Sequence, residues 1–378
     1  MGWYVEGAET LARKRIESRL RNPFALMHPV LYFLGLRDKE SMKKLSRPTT
    51  GVYLGGMADD AGSAKTQKMT SDIWLEFPYL KVMPSQSKRL SSKDDTLPAA
   101  TTAMDDLYGH TAFGWSLFST AAKARQKAID ETKSELGLRA LVEDAADVAF
   151  EEHMTLVNTS VRAGTLTLAQ QNVSDGNYWA DLLGINHVMT ASNAYGLVDR
   201  SVETSLNPLA INAATDLDST VVDLNLSRIV SVGNSTVSGL GFRAERFGGK
   251  GKRGKMLALC TTSLWQELAN QADGTYQIYH DGMPDMAVSG WQYPIIATGE
   301  CYYIAVEDQP SGTIDFLNLP SWHFMMAREY SFTFQGWVPK HKTEEASAMY
   351  QWNNLLTKLR LVCSEPWLNA RVSNLTTG

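Results

Sequence analysis

The sequence predicts an α+β protein in which antiparallel strands surround one long helix, and three observations predict it. Thr120 to Arg162 contains no proline, and its lone glycine is Gly137, while apolar residues recur there at three- and four-residue spacing. Beyond residue 163 the chain breaks into short runs rich in β-branched and aromatic residues. Strands and helices do not alternate regularly in those runs, so a parallel sheet of βαβ units is not expected.

The 378 residues are 44% apolar and 10% aromatic, enough for one large or two ordinary domains with real cores. Formal net charge is -5 at pH 7, so no global positive field draws the chain onto nucleic acid, and any such contact is local. Cys260, Cys301 and Cys363 stand far apart with no CxxC or CxxH spacing, which argues against a disulfide framework or a structural zinc site. Met27 to Leu36 is apolar but interrupted by His28 and Pro29, and is about half the length that spans a bilayer. Met1 to Thr10 lacks the basic and apolar regions of a secretion signal, so no membrane partner is expected and the chain is expected to stay in the cytosol that makes it.

In chain order, residues 8 to 21 have helical composition, with Leu11, Ile16 and Leu20 among Arg13, Lys14, Arg15, Arg19 and Arg21, and Asn22-Pro23 stops the run. A solvated helix on an extended arm explains these cations; contact with a polyanion or a partner is the sharper reading. From Arg47 to Ala103 polar residues, glycines and prolines dominate. Within this stretch Ile73 to Met83 reads as a strand ending at Pro84, and Thr50 to Met57 as its antiparallel partner across a polar turn. Such a hairpin holds too little apolar surface for a core and needs a neighbour to lie on.

The long helix is predicted over Ser134 to Val161, roughly 40 Å at 1.5 Å per residue. Leu138, Leu141, Val142, Ala145 and Val148 form its apolar stripe, expected to pack on strands at 301 to 306 and 331 to 334. Asn177 to Gly184 looks like a helical turn stopped by its glycine, and Leu206-Asn207-Pro208 starts a new element. Leu257 to Thr261 reads as a buried strand, followed by a helix at Ser263 to Gln271 capped by Ser263. Ile295 to Thr298, Cys301 to Val306 and Ser331 to Phe334 read as strands, and Lys340 to Leu361 as a last helix.

Motifs that suggest chemistry fail on context. Gly249 to Met256 satisfies GxxxxGK but ends in methionine, where a nucleotide loop needs Ser or Thr for magnesium, and it precedes a strand rather than a helix. A basic loop with Lys250, Lys252, Arg253 and Lys255 in solvent or on a partner is the better account. The histidines show neither HxH nor HExxH spacing, Cys260 lies in an apolar strand, and Asp216 and Asp218 sit in turn-like sequence. No catalytic residue, cofactor or metal is expected.

Read in order, a basic helical arm, a long polar hairpin, one long helix, a β-rich middle and a C-terminal block resemble the major capsid proteins of tailed bacteriophages, whose shared architecture is the HK97 fold. Leu359 to Leu375 (LRLVCSEPWLNARVSNL) looks like that family's strand, proline turn and closing strand, and Asp315 to His323 (DFLNLPSWH) like the strand and turn before it. The resemblance implies an N-terminal arm at 1–46, an extended loop at 47–101, a peripheral domain at 102–215 and 312–378 with its spine helix at 134–161, and a β-rich axial domain at 216–311. It implies a non-enzymatic subunit that assembles with itself into hexamers and pentamers of an icosahedral shell around double-stranded DNA. Implied partners are a scaffolding protein, a portal and a decoration protein, and the implied location is the virion capsid, with the host cytoplasm during assembly. Trp74, Phe77, Tyr79 and Lys81 are the expected inter-subunit contacts, and Arg13, Lys14, Arg15 and Arg19 the expected DNA-facing cations. The competing readings are a soluble hydrolase-like enzyme with an acidic site and an encapsulin-like compartment shell.

Overall fold

In the computed structural model of the full chain the described residues are 30–31, 34, 52–55, 75–80, 108–125, 135–172, 178–191, 193–216, 222–223, 228–229, 256–271, 296–297, 301–327, 333–334, 338–340 and 350–376. Their elements run β1 (Val52–Gly55), β2 (Leu75–Leu80), β3 (Tyr108–Phe113), β4 (Ser116–Arg125), α1 (Glu135–Ala163), α2 (Leu168–Gln171), α3 (Ile185–Met189), β5 (Leu209–Asp216), β6 (Val222–Asp223) and β7 (Arg228–Ile229). They continue with β8 (Met256–Cys260), α4 (Thr262–Gln271), β9 (Ile296–Ala297), β10 (Cys301–Ala305), β11 (Ile314–Asn318), β12 (Trp322–Met326), β13 (Thr333–Phe334), β14 (Val338–Lys340), β15 (Tyr350–Cys363) and β16 (Ala370–Thr376). The α+β class is as the sequence predicts.

Two larger sheets organise these elements. In the first, β15 is the central strand: β4 pairs along one edge from Tyr350 to Leu359, while β14, β13 and β12 share the other, with β1 outside β12. The second has the order β5-β16-β11-β8-β10-β9. Its central strands β8 and β11 are buried on both faces, which explains the continuous apolar run of β8. Leu257 and Leu259 join a core shared with α1 and the first sheet, while Ala258 and Cys260 join a second core under α4 with Leu264 and Leu268.

α1 lies on β4 and β15, with α3 beside it, and not on β10 or β13 as expected. Its buried side is Ala146, Ala149, Phe150, His153, Met154, Val157, Ser160 and Val161, a run at three- and four-residue spacing. Of the predicted stripe, Val148 is 56% exposed against expectation and Ala145 is half-buried, and the side chains at 138, 141 and 142 lie outside the described residues. Phe150, Met154, Val157 and Val161 supply the bulk of the buried side and His153 its hydrogen bonds, and Val148 falls outside their line.

Four further expectations are corrected. Where Lys340 to Leu361 is described it is strand, not helix: Lys340 ends β14 and residues 350–361 lie in β15, and Leu355, Leu356 and Leu359 are buried because a central strand is covered on both faces, which imitates helical spacing. The hairpin of Thr50 to Met57 with Ile73 to Met83 does not form. β1 instead pairs with β12, and β2 with β3, a strand the sequence reading missed. Asn177 to Gly184 is not a helical turn stopped by glycine, since Gly184 is the N-cap of α3. There a Cβ on Gly184 would lie 2.7 Å from the Ser160 carbonyl oxygen, so glycine is what lets α3 abut the end of α1. Thr261, whose Oγ1 accepts from the Leu264 N–H at 3.4 Å, caps α4 in place of the expected Ser263.

Candidate functional site

The polar groups buried in this fold tie elements together. Asp315 on β11 receives a bidentate pair from Arg371 on β16, at 2.6 Å from Nε and 2.7 Å from Nη2. Arg371 also donates to Asn186 of α3 at 2.8 Å, and Gln309 donates to Asp315 at 2.8 Å while accepting from Arg162 of α1 at 3.2 Å. One connected network thus fastens the second sheet to both helices, and the fork geometry of arginine suits it to a planar carboxylate. Arg200, fully buried, donates to the carbonyls of His187, Val188, Thr190 and Asn193, and so holds the loop after α3. Burial pulls its guanidinium down to about 10.

His153, buried at the crossing of α1 with the first sheet, has Nδ1 2.9 Å from Thr120 Oγ1 on β4 and Nε2 2.7 Å from Thr357 Oγ1 on β15. Desolvation lowers its pKa to about 4. His187 is lowered to about 4 by the same cause, partly opposed by its hydrogen bond to the Ala194 carbonyl. Both folded values lie below the unfolded value of 6.5, so each group stabilises the fold fully above pH 6.5 and loses that contribution as pH falls toward about 4. We expect a thermal midpoint that is flat above pH 7 and declines between pH 6.5 and 4, up to about 3 kcal/mol per histidine. His153→Gln should flatten part of that decline in a pH series of thermal melts; an unchanged slope would remove His153 as its source.

Nothing among the described residues gathers into a reaction centre. No group of three His, Cys, Asp or Glu there is placed to hold a metal. Cys260 and Cys363 are free, buried thiols, and burial pushes them up, Cys363 to about 12. A thiol in that state is packing, not a nucleophile. The basic loop at 249–255 and Asp218 lie outside the described residues, and Asp216 ends β5. No described helix is long and apolar enough to cross a membrane.

Of the expected contact residues, Trp74 and Lys81 lie outside the described residues, and Phe77 is placed only by its backbone on β2. Tyr79 is 9% exposed and stands opposite Gly109. A Cβ at Gly109 would come within 2.4 Å of its ring, so the ring is folded over β3 of its own chain. It braces β2 rather than offering a free face, because β3 supplies a glycine where any other residue would push the ring outward. Pro78, next to it, is exposed and has no N–H, which blunts strand addition there. Arg13, Lys14, Arg15 and Arg19 lie outside the described residues.

No protein-family model and no curated protein matches the sequence. Solved structures do. The capsid asymmetric unit of cyanophage A-1(L) superposes with a TM-score of 0.50 at 12% identity, over 82% of this chain and 90% of that one. A structure of Mycobacterium phage Adephagia gives 0.43 at 11%, over 82% and 88%, and the capsid of a native GTA particle 0.42 at 8%, over 82% and 87%. At these identities what is shared is the fold, and the first likeness shows it: the chain has the fold of a phage capsid subunit.

Proposed function

We propose that this chain is the major capsid protein of a tailed phage, a non-enzymatic subunit that assembles with itself into an icosahedral shell around double-stranded DNA. The observation that carries the reading is the likeness to the cyanophage A-1(L) capsid subunit, which runs over 82% of this chain and 90% of that one and so is not one common motif. α1 is the spine helix of the HK97 layout, 1–46 its arm and 47–101 its extended loop. The peripheral domain is 102–215 with 312–378, and the axial domain 216–311. The second sheet joins the last two, since β8, β9 and β10 pair into one sheet with β5, β11 and β16. Trp74, Phe77 and Lys81 on the extended loop meet a neighbouring subunit, and Tyr79 sets the strand that presents them. A scaffolding protein, a portal and a decoration protein complete the particle in the virion, after assembly in the host cytoplasm.

The test is direct. Purified protein is expected to elute from a sizing column as capsomers or very large particles, with closed shells in electron micrographs; a small oligomer under all assembly conditions would refute the proposal. The arm cations Arg13, Lys14, Arg15 and Arg19 face the enclosed DNA in this reading. With a net charge of -5 the free protein should bind duplex DNA weakly and without sequence preference. Its affinity should fall by orders of magnitude between about 50 and 200 mM salt in a filter-binding titration. Tight sequence-specific binding that survives salt would contradict that role.

A further inference from the structure

The β2–β3 ribbon joins the first sheet through two residues. β3 ends at Phe113 and β4 begins at Ser116, and the two strands lie in different sheets, β3 with β2 and β4 with β15. The link is Gly114 and Trp115. A glycine in such a link ordinarily gives rotation, but here it has another cause. A Cβ on Gly114 would lie 2.6 Å from Nε1 of Trp179, whose ring is buried and held by its own hydrogen bond to the Gln171 carbonyl at 3.0 Å. Glycine stands there so that the indole can approach the backbone closely.

Both carbonyls of the link are fastened. Arg360 on β15 donates from Nε to the Gly114 carbonyl at 2.9 Å, with its guanidinium 4.1 Å from the centre of the Trp115 ring. The Trp179 N–H donates to the Trp115 carbonyl at 2.8 Å. On the ribbon side, the turn at 195–198 takes hold. The carbonyl of its Gly196 accepts from the Ala112 N–H at 2.9 Å. Gly196 has φ +56°, and a Cβ there would lie 2.8 Å from Thr111 Cβ and 2.9 Å from the Phe113 ring. Phe113 packs edge-on to Tyr195 and Trp179, with ring centres 5.1 and 6.5 Å away. Tyr195 in turn exchanges two hydrogen bonds with the backbone of Cys363 on β15, at 2.7 and 2.9 Å. A hinge absorbs a large change in φ and ψ over a few residues, and that change would break bonds on both sides of this link.

We propose that Gly114 and Trp115 form a locked joint that sets, within the single chain, the direction in which the β2–β3 ribbon leaves the first sheet. The ribbon's angle is then a property of the subunit before it meets a neighbour. The consequence for assembly rests on the shell reading: a ribbon that carries contact residues at a fixed angle fixes the angle between neighbours, and so the curvature of the shell.

Nitroxides on His110→Cys and Ser119→Cys, exposed positions on either side of the joint, read its angle as a distance in the full-length protein carrying Cys301→Ser. Labelled chains are diluted among unlabelled ones, so that only the distance within one chain is measured whether or not particles form. A single narrow distribution is expected, and a broad one would overturn the joint without any further variant. Gly114→Ala and Gly196→Ala should each displace or broaden the distribution. Leu268→Ala, which weakens the separate core under α4, should leave it in place. Unchanged distributions in both glycine variants, or an equal displacement by Leu268→Ala, would overturn the assignment. Particles of Gly114→Ala should vary in diameter where those of the original sequence are uniform; unaltered diameters from a displaced joint would overturn its role in curvature. An original sequence that forms no particles would instead defeat the shell reading, while the distances still decide the joint.

Discussion

Val157→Asp is expected to yield no soluble folded protein. Val157 is fully buried on the inner side of α1, in the core that also holds Phe118, Leu355 and Leu359 from β4 and β15. The polar group nearest a carboxyl there along α1 is His153 one turn away, whose ring nitrogens are already engaged by two threonines. Whether the new group stays charged or takes up a proton, the cost is several kcal/mol. Stability of a whole domain is only about 5–15 kcal/mol. Thr155→Ala, on the exposed side two residues away, should change the thermal midpoint by less than about 2 °C. Soluble Val157→Asp protein with a native-like melting curve would show that α1 is not held by this face.

Asn369→Leu is expected to be nearly as severe, for a different reason. The buried Asn369 side chain accepts from the Asn318 N–H at 2.8 Å and from Trp322 Nε1 at 2.9 Å, and donates to the carbonyls of Glu365 and Pro366 at 3.1 and 3.2 Å. It therefore joins the end of β11, the start of β12 and the proline turn before β16. Leucine fills the volume but leaves two buried donors without an acceptor, at about 1–3 kcal/mol each. A loss of about 4 kcal/mol by denaturant unfolding is the expected result. Ser373→Ala, which removes one 3.3 Å bond to the Ile211 carbonyl, should cost under about 1 kcal/mol. Equal losses for the two variants would mean that the hub of hydrogen bonds is not what holds this corner.

The parts of the fold that were legible in the sequence are those where one local signal dominates. The absence of proline gave α1 its extent and the LALCT run gave β8, while the strand, turn and strand of LRLVCSEPWLNARVSNL came from the family resemblance. Where partners decide, the sequence misled. β4 (SLFSTAAKAR) has weak strand character and exists because β15 pairs with it over its whole length. β15 in turn looked helical because both its faces are buried. The buried polar ties, Asp315 with Arg371 and His153 with Thr120 and Thr357, join residues far apart in the chain, and no spacing rule reaches them. Tyr79 was visible as an aromatic on a strand, but the glycine opposite that fixes its direction was not.

The late place of β15 and β16 in the chain sets a clock. β15 organises the first sheet and β16 sits inside the second, between β5 and β11, yet both come from residues 350 to 376, made after every strand they join. While a ribosome is still translating residues before 350, β4 has no strand beside it and β5 has no route into its sheet. Neither sheet can close on a nascent chain, so the surfaces that lie on them are not yet built. Polysomes that carry many copies of this chain side by side would hold them at high local concentration without letting them associate, and competence to assemble would begin only once residues 350 to 376 have emerged.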